Sequence, residues 1–334
     1  MKKELCMSAP LKGQKVKQNM LTPEMEQFQA IMKERYAQFP DLDSVPFSEV
    51  RDIVAQVREP FSSGGPEMVK TTEQFVPVSG DKKVRIRMHR PTTDETLPCL
   101  FYLHGGGWVM FSLDTHDRLM REYAARAGVC VIGIDYSLAP ESRYPTQVNE
   151  SVAAVLWCAE HAQDLGIDAG KLAIGGDSAG GNLSMATCLK LQEQGKASLI
   201  KAMILNYAVV DSAIALDPVV RPQEVEYLLT TEEMIWFWHN YLGDIQKDGI
   251  EPFVSPMLAD LTKMPAVYMA IAGCDILCGD NLRMEKRLKE SGVDVKAVVY
   301  EGAIHGFLET ASLGGIANVA LQETADWLKN RLGM

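Results

Sequence analysis

The chain has 334 residues, of which 47% are hydrophobic and 23% charged, enough for one large mixed core or two modest domains of an ordinary soluble protein. A formal net charge of -11 and a pI near 5.1 set it against an extended phosphate backbone, and basic residues cluster only at Lys12 to Lys17, so nucleic acid is excluded as a partner. The first twenty residues are basic and polar without an apolar core, and no later apolar run approaches membrane-spanning length, which predicts a cytoplasmic protein with no membrane span.

In chain order, Met25, Phe28, Ile31, Met32, Arg35 and Tyr36 recur at helical spacing. A second set, Val50, Ile53, Val54 and Val57, predicts another helix ending in a loop from Pro60 to Pro66. Glu73 to Val78 and the strictly alternating Val84 to Met88 read as a half-buried strand pair at a sheet edge. Short, fully apolar runs then alternate with helical segments. Strands are predicted at 99–103, 129–134, 172–175, 202–205, 267–272 and 295–300, and helices at 116–127, 148–165, 180–194, 280–291 and 316–331. This alternation predicts an α/β fold, with a mostly parallel sheet of about eight strands covered on both faces. From Ala208 to Pro256 the rhythm breaks: a helix over Thr231 to Leu242 appears without a clear strand, as in an insertion that covers something.

Seven cysteines, at 6, 99, 130, 158, 188, 274 and 278, form an odd set with no C-x-x-C pair. Most sit in apolar runs as reduced thiols, so neither a disulfide framework nor a zinc site is expected.

The strand at 172–175 runs into Gly176-Asp-Ser-Ala-Gly180, a G-x-S-x-G at a strand-to-helix turn that would lift the Ser178 hydroxyl above the sheet end. The plainer alternative is a glycine turn that only packs helix on sheet. A phosphate loop is disfavoured, because the G-x-G-x-x-G spacing is missing and Asp177 would set a negative charge where phosphate should lie. A serine nucleophile needs a base, itself oriented by a third group. Of six histidines, His305 lies just after the last strand, where α/β sites collect. His89, His161 and His239 read as surface or packing residues, and His116 as part of a helix start. For the third group the loop after 267–272 offers Asp275 and Asp280. Asp275 lies nearer the strand end, whereas Asp280 suits the N-cap or first turn of the next helix. The order Ser178, Asp275, His305 is that of α/β-hydrolases. Attack on an ester carbonyl develops charge on oxygen, and backbone amides converge on one atom only where side chains do not intervene. Gly106 and Gly107 of His104-Gly-Gly-Gly-Trp108, with Ala179, are therefore the expected donors.

These residues, together with Asp135-Tyr-Ser-Leu-Ala-Pro-Glu141, Ser255-Pro-Met-Leu-Ala259 and His305-Gly-Phe307, make the chain from Pro91 to Leu332 resemble the hormone-sensitive-lipase-like α/β-hydrolase esterases, also called bacterial family IV. The resemblance implies the same donors, with His104 bracing their loop. It also implies a helical cap built from residues 1–65 and an insertion at about 208–250, on a core of 66–334. Asp177 places the chain among GDSAG-type members, which are often homodimers. Departures fall in the loop Asp275-Ile-Leu-Cys-Gly-Asp280, where the family usually has D-P-L-R-D-E, at Ser137 in place of arginine, and at Asn149-Glu150 in place of an acid pair. The implied activity is a serine carboxylesterase acting on short- to medium-chain acyl esters, with a small-molecule ester as partner and no metal or cofactor. Trp108, which directly follows the donor glycines, and Asp177, Ile276, Phe28, Met32, Trp236 and Phe237 are candidates for the substrate pocket, although Phe28, Met32, Trp236 and Phe237 could equally pack the cap onto the core. A ligand-binding receptor, a dehydratase or lyase, and an amidase are the rival readings.

Overall fold

The computed structural model describes residues 21–94, 96–216 and 227–334. The first twenty residues, with Cys6 and the Lys12 to Lys17 cluster, lie outside the described residues, as does part of the 208–250 insertion.

Eight strands form one sheet: β1 (Lys70–Ser79), β2 (Lys82–Arg90), β3 (Leu97–Leu103), β4 (Cys130–Asp135), β5 (Ile167–Asp177), β6 (Ile200–Asn206), β7 (Ala266–Cys274) and β8 (Val295–Ile304). Their order is β1-β2-β4-β3-β5-β6-β7-β8. β1 and β2 pair antiparallel, and β2 is antiparallel to β4. All later pairings are parallel. The apolar runs are continuous because both faces of these strands are buried, and successive side chains divide between two cores. On β3, Cys99, Phe101 and Leu103 enter one core, while Leu100 and Tyr102 enter the other. β2 differs: Val84 and Ile86 face inward, and Arg85 and Arg87 between them pair with Asp135, Glu73, Asp114 and Asp117.

The helices are α1 (Pro23–Tyr36), α2 (Phe47–Ser62), α3 (Asp117–Ala127), α4 (Thr146–Glu160), α5 (Ala162–Leu165), α6 (Ala179–Glu193), α7 (Ala213–Leu216), α8 (Thr231–Tyr241), α9 (Ile245–Asp248), α10 (Cys278–Glu290) and α11 (Gly315–Leu332). Two helix ends differ from expectation by three residues or more. Instead of stopping at Pro60, α2 continues to Ser62. Proline has no N–H for the Gln56 carbonyl one turn back, and Arg35 of α1 donates to that carbonyl at 2.6 Å instead. The helix expected over 148–165 breaks at His161, which leaves helical φ/ψ and stacks its ring on Trp157.

α8 begins with a capping box, in which Thr230 Oγ1 accepts from the Glu233 amide while the Glu233 carboxylate accepts from the Thr230 amide. α2 and α8 are far apart in sequence and meet where Phe47 stacks on Trp236, ring centroids 5.6 Å apart. From α2, Arg51 reaches the core, donating to the carbonyls of Val109 and Ala139 at 2.9 Å each and pairing with Glu141.

Candidate active site

Ser178 sits between β5 and α6 at φ 53° and ψ −117°, a left-handed backbone that a side-chain-bearing residue adopts at a cost of about 1–3 kcal/mol. The turn is held by the Ser178 amide donating to the Asn206 carbonyl at 2.9 Å and by Val209 donating to the Ser178 carbonyl at 3.1 Å. The strain falls on the serine itself. Gly180 is needed for another reason, since a Cβ there would strike the Leu103 carbonyl at the end of β3.

Three residues at the carboxyl ends of three strands meet. His305, after β8, has Nε2 2.9 Å from Ser178 Oγ and Nδ1 2.7 Å from Asp275 Oδ2, and Asp275 follows β7. A carboxylate only accepts, so Nδ1 carries a proton and Nε2 of the neutral ring presents its lone pair to the serine hydroxyl. Asp275 Oδ1 accepts from the Leu277 amide at 3.0 Å, which fixes the carboxylate despite the altered loop. Asp280 lies in the first turn of α10, buried and paired with Arg283. Burial opposes charge on His305, but Asp275, with Asp177 and Glu309 farther off, raises the ring above its ordinary value.

The loop from His104 to Trp108 leaves β3 beside this turn. Gly106 and Gly107 adopt φ of 98° and 59°, and the Gly106 carbonyl accepts from Val109 at 3.0 Å and Met110 at 2.8 Å. A Cβ on Gly107 would enter the Phe237 ring of α8. Ala179 opens α6, so its amide belongs to the first turn, where N–H groups have no intrahelical acceptor. Next to it, Asp177 is buried and accepts from Tyr102 Oη at 2.9 Å and the Gly105 amide at 3.2 Å through Oδ1, while Oδ2 faces His116 Nε2 at 3.2 Å. Burial opposes its charge, yet His116 and Tyr102 hold its carboxyl below the usual range. His104 stacks on Tyr136 and contacts the Gly105 carbonyl at 2.8 Å through Nδ1. Burial, helped by the nearby His116, pushes it down to about 3, so it is neutral at ordinary pH.

A cavity of about 760 Å³ opens onto Ser178 and His305, lined by Gly106, Gly107 and Phe111 together with Tyr36, Trp236 and Phe237 of α1 and α8. Trp236, Phe237 and Asp177 therefore border the space for which they were candidates. Four others do not. Trp108 is 0% exposed, because its φ of 61° turns the ring onto Tyr241, stacked at 4.3 Å. Ile276 is buried in the core after β7. Phe28 and Met32 point into the opposite core, Phe28 packing edge-on against Phe61 at 4.8 Å.

Sequence reasoning missed the buried ion pair of Arg58 and Glu309 on the cavity wall. Arg58 is a charge four residues after Val54 on an apolar helical face, a signal the sequence carries. Tyr207, whose ring meets His305 edge-on at 4.9 Å, was also missed. It follows β6 directly, the kind of position that singled out Asp275. Two departures noted in the sequence meet each other: Ser137 donates to Glu150 from both its amide and its hydroxyl, at 2.7 Å each.

A mostly parallel sheet with a strained serine turn after β5, an acid after β7 and a histidine after β8 defines the α/β-hydrolase class. Residues 100–309 match the family described by the alpha/beta hydrolase fold. An ethyl acetate hydrolase of Pseudomonas putida is 34% identical over 251 residues, 74% of this chain and 78% of that protein. The carboxylic ester hydrolase LipN of Mycobacterium tuberculosis is 33% identical over 276 residues, 80% of this chain and 72% of its own. The solved structure of a hyperthermophilic esterase from the archaeon Pyrobaculum calidifontis superposes with a TM-score of 0.82 at 30% identity, covering 93% of this chain and 98% of the other. This chain belongs to the hormone-sensitive-lipase-like family of α/β-hydrolases.

Proposed function

We propose that the protein hydrolyses short- to medium-chain acyl esters with Ser178 as nucleophile, His305 as general base and acid, and Asp275 as the group that orients the imidazole. The protein is a carboxylic ester hydrolase, as its relatives are. The observation that carries the mechanism is the unbroken chain of 2.9 Å and 2.7 Å from Ser178 through His305 to Asp275. In this reading His305 takes the Ser178 proton as Oγ attacks the carbonyl, then delivers it to the leaving alcohol. Water repeats the sequence on the acyl-enzyme. The amides of Gly106, Gly107 and Ala179 are the proposed donors to the developing oxyanion, and no cofactor enters the reaction.

The ethyl acetate activity named for one relative supports small esters, and the cavity has room for a medium-length acyl chain as well. The helices before β1 and between β6 and β7 act in this reading as a cap, since both contribute to the cavity wall. A homodimer follows from the GDSAG-type resemblance, and light scattering on the purified chain tests it. A cytoplasmic setting suits the six free cysteines among the described residues. No helix among those residues is long and apolar enough to cross a membrane.

Ser178→Ala should lower kcat on p-nitrophenyl butyrate by about four orders of magnitude or more with an unchanged circular dichroism spectrum. Wild-type turnover in that variant would remove the mechanism.

A further inference from the structure

A carboxylate beside the nucleophile is an electrostatic puzzle. Asp177 is one residue from Ser178, borders the same cavity and is held ionised. Ester attack develops a second negative charge on the substrate oxygen, next to the loop that Asp177 itself binds through the Gly105 amide. At short range inside a protein, like charges oppose each other far more than in water. Unless something balances it, the residue that anchors the proposed donors also disfavours the state they stabilise.

His116 occupies the far side of that carboxylate. It is 2% exposed, and both its ring nitrogens face acceptors. Nε2 points at Asp177 Oδ2 at 3.2 Å. Nδ1 lies 3.0 Å from Thr115 Oγ1, whose own proton goes to the Ser112 carbonyl at 3.0 Å, leaving a lone pair for the ring. Two acceptors at two nitrogens are the surroundings of an imidazolium. The other charged or titratable groups around it are His104 from the loop after β3, Arg58 from α2 and Glu309 from the turn after β8. His104 is neutral, and Arg58 and Glu309 neutralise each other.

We propose that His116 is a positioning residue and countercharge: as the imidazolium it neutralises Asp177, so that the carboxylate anchors the Gly105 to Gly107 loop without opposing the oxyanion. This rests on Ser178 being the nucleophile, as proposed above. Burial disfavours charge on His116, but Asp177, with Glu309, raises the ring above its ordinary value, so the countercharge persists to a higher pH than on a free histidine and is lost as pH rises through that raised value.

The test separates charge from shape. His116→Gln retains a donor for Asp177 and removes the charge. It should lower kcat about ten- to a hundredfold with KM changed less than threefold, and weaken inhibition by a trifluoromethyl ketone, whose serine adduct carries the oxyanion, by the same factor. Adding Asp177→Asn, which removes the opposing charge, should return part of the lost rate. In the wild type, kcat/KM should fall and the ketone's inhibition constant should rise together on alkaline titration, and His116→Gln should lack that limb. The wild-type titration stands even if the variants fold poorly. Unchanged kcat in His116→Gln, no recovery in the folded double variant, or a wild-type ketone affinity that is flat through alkaline pH would each overturn the proposal. Full activity in Ser178→Ala would overturn the underlying mechanism instead, which keeps the two failures distinct.

Discussion

Asp275 and Asp280 illustrate what a sequence can and cannot say about single residues. Both lie within six residues of sequence after β7, and only strand-end position and helix-start chemistry favoured Asp275. The structure gives Asp275 the contact with His305 and Asp280 a partner in Arg283 on its own helix. Asp275→Asn should therefore reduce kcat by about 10³- to 10⁴-fold, while Asp280→Asn should chiefly lower stability. The reverse ranking in side-by-side kinetics and melts would reassign the orienting acid. The same contact sets the pH response. A base must be unprotonated, and Asp275 raises the His305 value above the ordinary one of about 6.5, so kcat/KM should begin to fall at a higher pH on acidification than a free histidine would dictate. Asp275→Asn should move this acid limb to lower pH in the residual activity. The pocket residues were less legible, for a physical reason. Helical spacing tells which residues are buried but not which of two buried faces they join, and Phe28 and Met32 are buried against protein rather than beside the cavity. Adjacency to the glycines pointed to Trp108, but its φ of 61° turns the ring into the core.

At the scale of elements, all eight strands were visible as apolar or alternating runs, because burial on two faces or one leaves those two patterns. What the pattern does not encode is contact between distant segments. Nothing near Gly107 in the chain announces that its missing side chain makes room for Phe237 of α8, some 130 residues away. Gly107→Ala should lower kcat about a hundredfold, through both the φ of 59° and the collision with that ring. Phe237→Ala in the same chain should restore the part due to collision, and kinetics of the two variants would apportion the loss. The capping box at Thr230 and the Arg35 bond across the α2 proline show the same division. The first is a local signal written as T-x-x-E, and the second exists only once two helices have packed.

Across the whole molecule, the positions of the proposed donors and nucleophile trace back to one feature of the sheet. Although β4 intervenes in sequence, β3 and β5 are direct neighbours, with Leu103 opposite Gly176. The loop leaves one strand and the serine turn leaves the other at the same height, about 4.8 Å apart across the sheet. The pairing is locked because a one-residue slip would send every side chain of a doubly buried strand to the wrong core. The covering helices are under no such constraint, entering as a leading segment and an insertion that supply the outer cavity wall. Mutation can therefore reshape what the cavity admits without disturbing the spacing on which bond cleavage depends. A lineage built this way inherits its chemistry with the sheet and diversifies its diet through the helices above it.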